Sequence, residues 1–80
     1  MRAKIRIYVA SDCPSCKEVI GYLKRKNTPY ELFDVSFSKQ YFKEMMRLGG
    51  FATPFIVMDE RRLYYFDPRV LDRFLEEQHG

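Results

Sequence analysis

Two cysteines, the only two in the 80-residue sequence, are separated by two residues in the segment Cys13-Pro14-Ser15-Cys16. Two thiols at this spacing can exchange with a disulfide, and thiols also bind metal ions. A strand-like run precedes Cys13 and a helix-like run follows it. At a helix start, unpaired backbone N–H groups and the positive end of the helix dipole favour a thiolate. We therefore predict a lowered pKa for Cys13.

The neighbours of Cys13 fit this interpretation. Cys16 falls on the same side of the first helical turn, where its thiol can attack a mixed disulfide formed at Cys13. Pro14 suits the first helical position, because its φ is already helical and the N–H that it lacks would be unpaired there. The segment predicts a redox dithiol at a helix N-terminus.

Two charged residues could tune this dithiol in opposite directions. Lys17 would favour the Cys13 thiolate and Asp12 would oppose it. Asp12 could equally cap the helix, and Lys17 could be an ordinary exposed residue. The sequence does not decide the net effect of Lys17 and Asp12 on the pKa of Cys13. Tyr8 could flank the sulfur or belong to the core.

The elements around the dithiol follow from periodicity. A strand over residues 4–10, a helix over residues 14–26 and a second strand over residues 30–35 predict a right-handed parallel βαβ unit. Ser11 and Asp12 are candidate caps of this helix. Its apolar residues recur at helical spacing: Cys16, Val19, Ile20 and Leu23.

The second half of the chain predicts a helix, a hairpin and a last helix. Ser36 or Ser38 can cap a helix that ends near Leu48 before Gly49-Gly50. Its expected apolar side comprises Phe42, Met45, Met46 and Leu48.

A strand over residues 55–58, a turn over residues 59–62 and a return strand over residues 63–66 form the predicted hairpin. Asp67 then caps the last helix, with Pro68 at its first position. The stripe expected to be buried is Val70, Leu71, Phe74 and Leu75.

Composition limits the function classes. The length predicts a single domain over residues 1–80. Fourteen Lys and Arg against eleven Asp and Glu give a net charge of +3, and the basic clusters are short enough to be solvated surface. We therefore expect no nucleic-acid or membrane partner and a cytoplasmic location, where two cysteines are more often redox-active or metal-binding than structural.

The order of elements, the Cys-Pro-Ser-Cys segment, Thr53-Pro54 and Asp67-Pro68 together resemble the glutaredoxin branch of the thioredoxin fold. The resemblance covers essentially the whole chain. It implies an α/β three-layer fold in which three helices flank a four-stranded mixed sheet of order 2-1-3-4, with the third strand antiparallel.

The resemblance also implies the roles of the site residues. Cys13 matches the nucleophile and Cys16 the resolving thiol. Pro54 matches a cis proline beside the dithiol, and the backbone of Thr53 would pair with the partner chain. It adds three further substrate-binding residues: Pro14, Ser15 and Asp67.

Three positions depart from glutathione-binding members. Ala10 stands where a lysine is common, Ser15 where an aromatic residue is common, and Tyr65 in a stretch that usually carries glycines. Tyr64 and Phe66 fill the rest of that stretch. The Asp67-Pro68 start of the last helix is similar to glutaredoxin-like redoxins that take electrons from thioredoxin reductase and serve ribonucleotide reductase. Either glutathione or a thioredoxin-reductase-type flavoprotein therefore remains possible as the electron donor.

The leading hypothesis is a monomeric thiol–disulfide oxidoreductase with no bound cofactor, which reduces protein or small disulfides through Cys13 and Cys16. The alternative is a metal or iron–sulfur cluster carrier in which Cys13 takes part in a site shared between two chains. Two thiols are too few for a closed zinc site in one chain. A binding module would leave the helix-start position of the cysteines unexplained.

Overall fold

The computed structural model describes residues 4–79, with the elements in the predicted order. Residues 1–3 and 80 of the predicted domain lie outside the described residues. The elements are β1 (Ile5–Val9), α1 (Pro14–Arg25), β2 (Glu31–Asp34), α2 (Lys39–Arg47), β3 (Phe55–Met58), β4 (Arg61–Leu63) and α3 (Pro68–His79).

The four strands form one sheet in the order β2-β1-β3-β4, which confirms the predicted topology. β1 pairs parallel with β2 and antiparallel with β3, and β3 pairs antiparallel with β4. Tyr8, near the end of β1, lies opposite Phe55 at the start of β3. The chain leaving β1 toward Cys13 and the chain entering β3 from Pro54 therefore meet at one edge of the sheet.

Alternation along β1 and β3 divides the core into two layers, because successive side chains of a strand point to opposite faces. Ile5, Ile7 and Val9 pack in one layer with buried residues of α1 and α3. Tyr8 packs in the other layer with Phe55 and with Met45 of α2. The helices thus cover both faces of the sheet, as the resemblance implied.

The return strand of the hairpin lies earlier than predicted. The sequence predicted it over residues 63–66, but β4 occupies Arg61–Leu63. The turn needs only Asp59 and Glu60, because Asp59 adopts the left-handed region with φ 56° and allows Met58 to pair with Arg61. Tyr64 and Tyr65 consequently lie in a bend after the strand rather than in it.

The prediction of which residues form the buried side of α2 is partly wrong. Met45 is buried and Leu48 is half-buried, but Phe42 and Met46 are 43% and 55% exposed. The helix turns Met45 toward Tyr8 and Phe55, so Met46, one position and about 100° further round the helix, faces away from the sheet. Met46 therefore does not fill the core as expected.

The other helices also differ in detail from the expected pattern. In α1 the core additionally contains Tyr22, whereas Ile20 is only half-buried. In α3 Leu71 and Phe74 are buried, but Val70 is 38% exposed at the first turn. None of the helices in the described part of the chain is both long and apolar enough to span a membrane.

Candidate active site

Cys13 and Cys16 are joined as a disulfide at the N-terminus of α1, with their Cα atoms 5.2 Å apart. Cys13 is the N-cap residue, in an extended conformation with φ −122° and ψ 92°, and Pro14 is the first helical residue. The backbone N–H of Cys16 donates a hydrogen bond of 3.1 Å to the Cys13 Sγ. The cap interaction that Ser, Thr, Asn or Asp usually provides is therefore made by the sulfur.

Asp12 does not cap the helix, contrary to one of the expectations from sequence. It lies in an exposed turn with φ 54°, a left-handed conformation that Asp tolerates better than most residues. Ser11 does not cap α1 either, because Cys13 is the N-cap residue; the Ser11 backbone N–H donates to the Ser36 hydroxyl at 2.8 Å. The two residues form the turn that carries the chain from β1 to Cys13.

The two sulfur atoms differ in environment. Cys16 is 2% exposed and packs among the residues of α1 and α3, whereas Cys13 is only partly buried. Pro14 and Ser15 between them are exposed. A molecule approaching from solvent thus meets the Cys13 side of the disulfide, which fits the roles expected for the two cysteines.

Lys17 is exposed one turn after Cys13, and its backbone N–H donates to the Cys13 carbonyl at 3.3 Å. Neither Lys17 nor Asp12 takes part in any of the ion pairs within residues 4–77. The tuning effects of these two charges on Cys13 stay predictions.

Thr53 and Pro54 lie beside the disulfide. Their peptide bond is cis, as the resemblance implied, and Pro54 is buried directly before β3. The Thr53 hydroxyl lies 3.8 Å from the Cys13 Sγ, within donating distance of a sulfur acceptor. Antiparallel pairing of β1 with β3 explains the contact, because the two segments adjoin the same edge of the sheet.

Asp67 lies at the start of α3 and accepts a hydrogen bond from the Arg69 N–H at 3.1 Å, as a capping residue would. Phe66 packs edge-on against Tyr22 of α1, and the Tyr22 hydroxyl donates to the Pro68 carbonyl at 3.5 Å. The start of α3 is therefore fixed to the helix that carries the dithiol. No hydrogen bond in the described residues joins Asp67 to either cysteine, so its substrate-binding role stays a prediction.

Tyr8 belongs to the core and does not flank the sulfur. Its ring stacks on Phe33 with centroids 5.0 Å apart, and burial raises the pKa of its hydroxyl, with a further upward contribution from the Glu44 carboxylate. That hydroxyl has no hydrogen-bond partner among residues 4–77.

Two features of the site were not identified from sequence. Ser36 had been considered a helix cap, but Ser38 caps α2, and the Ser36 hydroxyl instead holds the turn before Cys13. Phe51, two residues before Thr53, is 78% exposed and stacks on Tyr64 at 6.1 Å. The only sequence signal for Phe51 was an aromatic residue close to Thr53-Pro54.

The three aromatic residues at positions 64–66 lie in different environments. Tyr64 packs against Phe51 and Phe55, Tyr65 is 61% exposed, and Phe66 points into the core against Tyr22. No group of three His, Cys, Asp or Glu residues suited to a metal ion occurs in the described part of the chain.

Comparisons with known proteins agree with this geometry. A family model described as Glutaredoxin matches residues 5–63. The chain is 30% identical to the thioredoxin-like protein BC3987, covering 88% of this chain and 97% of that one, with a TM-score of 0.82. No curated protein matches the sequence.

Two more distant solved structures show the same fold. The glutaredoxin-like protein NrdH-redoxin from Escherichia coli is 18% identical, with coverage of 88% and 92% and a TM-score of 0.78. The glutaredoxin grx-1 from Archaeoglobus fulgidus is 20% identical, with coverage of 91% and 86% and a TM-score of 0.76.

Proposed function

The chain belongs to the glutaredoxin family, and on this premise we propose that it is a thiol–disulfide oxidoreductase that reduces protein or small disulfides through Cys13 and Cys16. The observation that carries the proposal is the difference between the two sulfurs at the start of α1. Cys13 is accessible and lies beside the Thr53 hydroxyl, and Cys16 is buried behind it.

The first step of the proposed reaction begins from the reduced dithiol. The Cys13 thiolate attacks one sulfur of the target disulfide, forms a mixed disulfide with it and releases the other target sulfur as a thiolate. Among the described residues, the Cys16 N–H and the Thr53 hydroxyl donate to the Cys13 sulfur in the disulfide, and donors so placed favour a thiolate over a thiol once the disulfide is reduced.

The second step resolves the mixed disulfide. Cys16 loses its proton and attacks the Cys13 Sγ, which forms the Cys13–Cys16 disulfide and releases the remaining target sulfur as a thiolate. Two electrons pass from the protein dithiol to the target, whose thiolates take up protons from solvent. Cys16 is suited to this step because it lies one turn from Cys13 and is shielded from external disulfides.

The backbone of Thr53, which makes no backbone hydrogen bond within the described residues, supports the proposed binding of a protein target. Thr53 lies in a bend just outside β3, where an extended segment can pair with the free N–H and C=O groups while its disulfide reaches Cys13. We propose that the protein acts as a monomer in the cytoplasm, where a reducing environment regenerates the dithiol.

Glutathione or a thioredoxin-reductase-type flavoprotein would regenerate the dithiol, and one assay tests both donors together with the reaction. Insulin or a hydroxyethyl mixed disulfide is the substrate, and electrons come either from NADPH, glutathione reductase and glutathione or from NADPH and thioredoxin reductase. We expect turnover with at least one donor and none from Cys13→Ser. Absence of turnover with both donors, or equal turnover by Cys13→Ser, would refute the proposal.

The alternative of a thiol-ligated metal or iron–sulfur cluster shared through Cys13 is tested on the same protein. Ultraviolet–visible absorption of material purified without air distinguishes the two, because an iron–sulfur cluster is coloured and a dithiol is not.

A further inference from the structure

The outward side of α2 combines cations with exposed apolar side chains. At about 100° per residue, these side chains fall within one sector of about 140°, roughly opposite the buried side of the helix that contains Met45. We call this set the α2 surface, and its members are Lys39, Phe42, Lys43, Met46 and Arg47, all exposed.

The positive charge of the α2 surface is not used within the described fold. The ion pairs among residues 4–77 involve Lys4, Lys26, Arg61 and Arg69, none of which belongs to α2. Glu44 is the only acidic residue of the helix, and it is half-buried toward Tyr8.

Helix stability accounts for only one of these charges, because Arg47 in the last turn lies near the negative end of the helix dipole. Lys39 stands at the first position of α2, where a cation opposes the helix dipole. Phe42 and Met46, four positions apart on the same side, leave apolar surface in water beside the cations. The surface therefore has both the charge and the apolar area to bind something outside the described chain.

The segment that follows α2 leads from the α2 surface toward the disulfide. The Gly49 N–H donates to the Met46 carbonyl at 3.0 Å at the end of the helix. Phe51, two residues before Thr53 and its contact with Cys13, stacks on Tyr64. The exposed aromatic side chains of Phe51 and Tyr64 thus form a pair in which Phe51 belongs to the segment that joins α2 to Thr53.

We propose that the α2 surface docks an acidic polypeptide segment, carrying apolar side chains, of the protein whose disulfide is reduced. This inference rests on the proposed function and adds the class of substrate. Carboxylates of the segment face Lys39, Lys43 and Arg47, while its apolar side chains cover Phe42 and Met46. Charge complementarity of this kind speeds encounter and fixes orientation while the disulfide reaches Cys13.

Binding is measured first, separately from catalysis. The probe is a fluorescein-labelled peptide of twelve residues in which Glu alternates with Leu or Phe and which has no cysteine. A matched peptide has Gln in place of each Glu. We expect about tenfold tighter binding of the acidic peptide at low ionic strength, decreasing as salt is added. Equal binding of the two peptides would overturn the proposal.

Variants locate the binding on the protein. Lys43→Glu with Arg47→Glu should abolish the preference for the acidic peptide. Lys24→Glu with Arg73→Glu makes the same change in net charge on exposed positions of α1 and α3, across the sheet from α2, and should retain it. Equal losses in the two double variants would show a response to net charge alone and would overturn the α2 assignment.

The apolar part of the surface has its own test. Phe42→Gln with Met46→Gln keeps the net charge and should weaken acidic-peptide binding by about tenfold, since two exposed apolar contacts are removed. Unchanged binding in this variant would show that the cations alone attract the peptide. A single-stranded oligonucleotide that binds more tightly than the acidic peptide would show that the partner class is wrong.

Kinetics then separate this inference from the proposed function. The same two peptides, each with a two-cysteine disulfide loop added, are compared by kcat/KM with hydroxyethyl disulfide as the small substrate. We expect about tenfold preference for the acidic peptide, lost in Lys43→Glu/Arg47→Glu, and unchanged reduction of the small disulfide. Binding without reduction of any disulfide would refute the proposed function alone, and reduction without preference would refute the α2 surface alone.

Discussion

The hydroxyl of Thr53 lies 3.8 Å from the sulfur of Cys13, although forty positions separate the two residues in the sequence. The contact places a second hydrogen-bond donor, besides the Cys16 N–H of α1, beside the sulfur that faces solvent. Thr53 was expected to contribute through its backbone, and the structure adds a contact of its side chain.

Thr53→Val removes that donor while keeping a β-branched shape. We expect disulfide reduction to fall by about two- to thirteenfold, as for loss of one hydrogen bond worth about 0.5–1.5 kcal/mol. Alkylation of Cys13 should shift to higher pH, because the thiolate loses a donor. Thr28→Val, which removes a hydroxyl bonded to the Lys26 carbonyl away from the site, is the control. An unchanged pH profile of alkylation would remove the proposed role of the hydroxyl.

The two cysteines should fail in different ways when replaced. Cys13→Ser should abolish reduction, whereas Cys16→Ser should form mixed disulfides at Cys13 that it cannot resolve, because the buried attacking thiol is missing. Mass spectrometry after exposure to a disulfide substrate detects the trapped adduct. Equal reactivity of the two thiols toward a bulky alkylating reagent at neutral pH would contradict this division of roles.

Tyr8→Phe should stabilise the protein or leave it unchanged. The Tyr8 hydroxyl is buried without a hydrogen-bond partner among residues 4–77, and such a group costs about 1–3 kcal/mol. Denaturant unfolding measures the change, and Tyr65→Phe, at an exposed hydroxyl, is the control. A loss of more than about 1 kcal/mol in Tyr8→Phe would mean that the hydroxyl is bonded in solution.

The wild type and Tyr8→Phe should also differ in stability at alkaline pH. Burial raises the pKa of Tyr8 above its ordinary value of 10.0, so the folded state keeps the phenol protonated where the unfolded state ionises it. The folded state then binds more protons, and the stability of the wild type should fall as pH rises above about 10 through the folded pKa. Tyr8→Phe should lack this part of the decline, and parallel curves would contradict the prediction.

Gly50→Ala and Gly21→Ala should have opposite effects. A Cβ at Gly50 would lie 2.6 Å from the Phe55 Cγ and 2.8 Å from the Met45 Cγ, two residues of the core layer that contains Tyr8. We expect a cost of about 1–3 kcal/mol from overpacking. Gly21 in α1 meets only Arg25 at 3.5 Å, and Ala there should stabilise the helix by up to about 1 kcal/mol. Thermal unfolding of both variants checks the contrast, which equal stabilities would contradict.

Tyr65→Gly tests whether the aromatic residues before α3 restrict glutathione. Tyr65 is exposed two positions before Asp67, in the stretch where the family commonly has glycine. If the Tyr65 ring narrows the space for the γ-glutamyl group of glutathione, glutathione-dependent turnover should be about tenfold higher in Tyr65→Gly than in the wild type, equivalent to about 1.4 kcal/mol. Tyr65→Phe keeps the ring and should show no gain. Tight glutathione binding by the wild type that does not improve in Tyr65→Gly would contradict the hypothesis.

The sequence alone was sufficient for the features that depend on neighbouring residues. Pro14 marked the first residue of α1, and the continuous apolar run marked β3 at Phe55–Met58. Gly49 marked the end of α2 with a φ of 102°. Each of these follows from a backbone preference or a periodicity within a few positions, which long-range packing did not overrule. The sheet order β2-β1-β3-β4 was instead implied by the resemblance to the glutaredoxin branch, which rested on the order of these elements together with the cysteine, Thr53-Pro54 and Asp67-Pro68 motifs.

Tertiary structure decided which side of each element is buried and what reaches the disulfide. Phe42 and Met46 have the same hydrophobic character as Met45, yet only Met45 lies over Tyr8 and Phe55, because helix orientation depends on the sheet beneath it. In the same way, antiparallel pairing of β1 with β3 brings Thr53 to Cys13, and packing between α1 and α3 buries Cys16. These are contacts between distant segments, so no local pattern in the sequence encodes them.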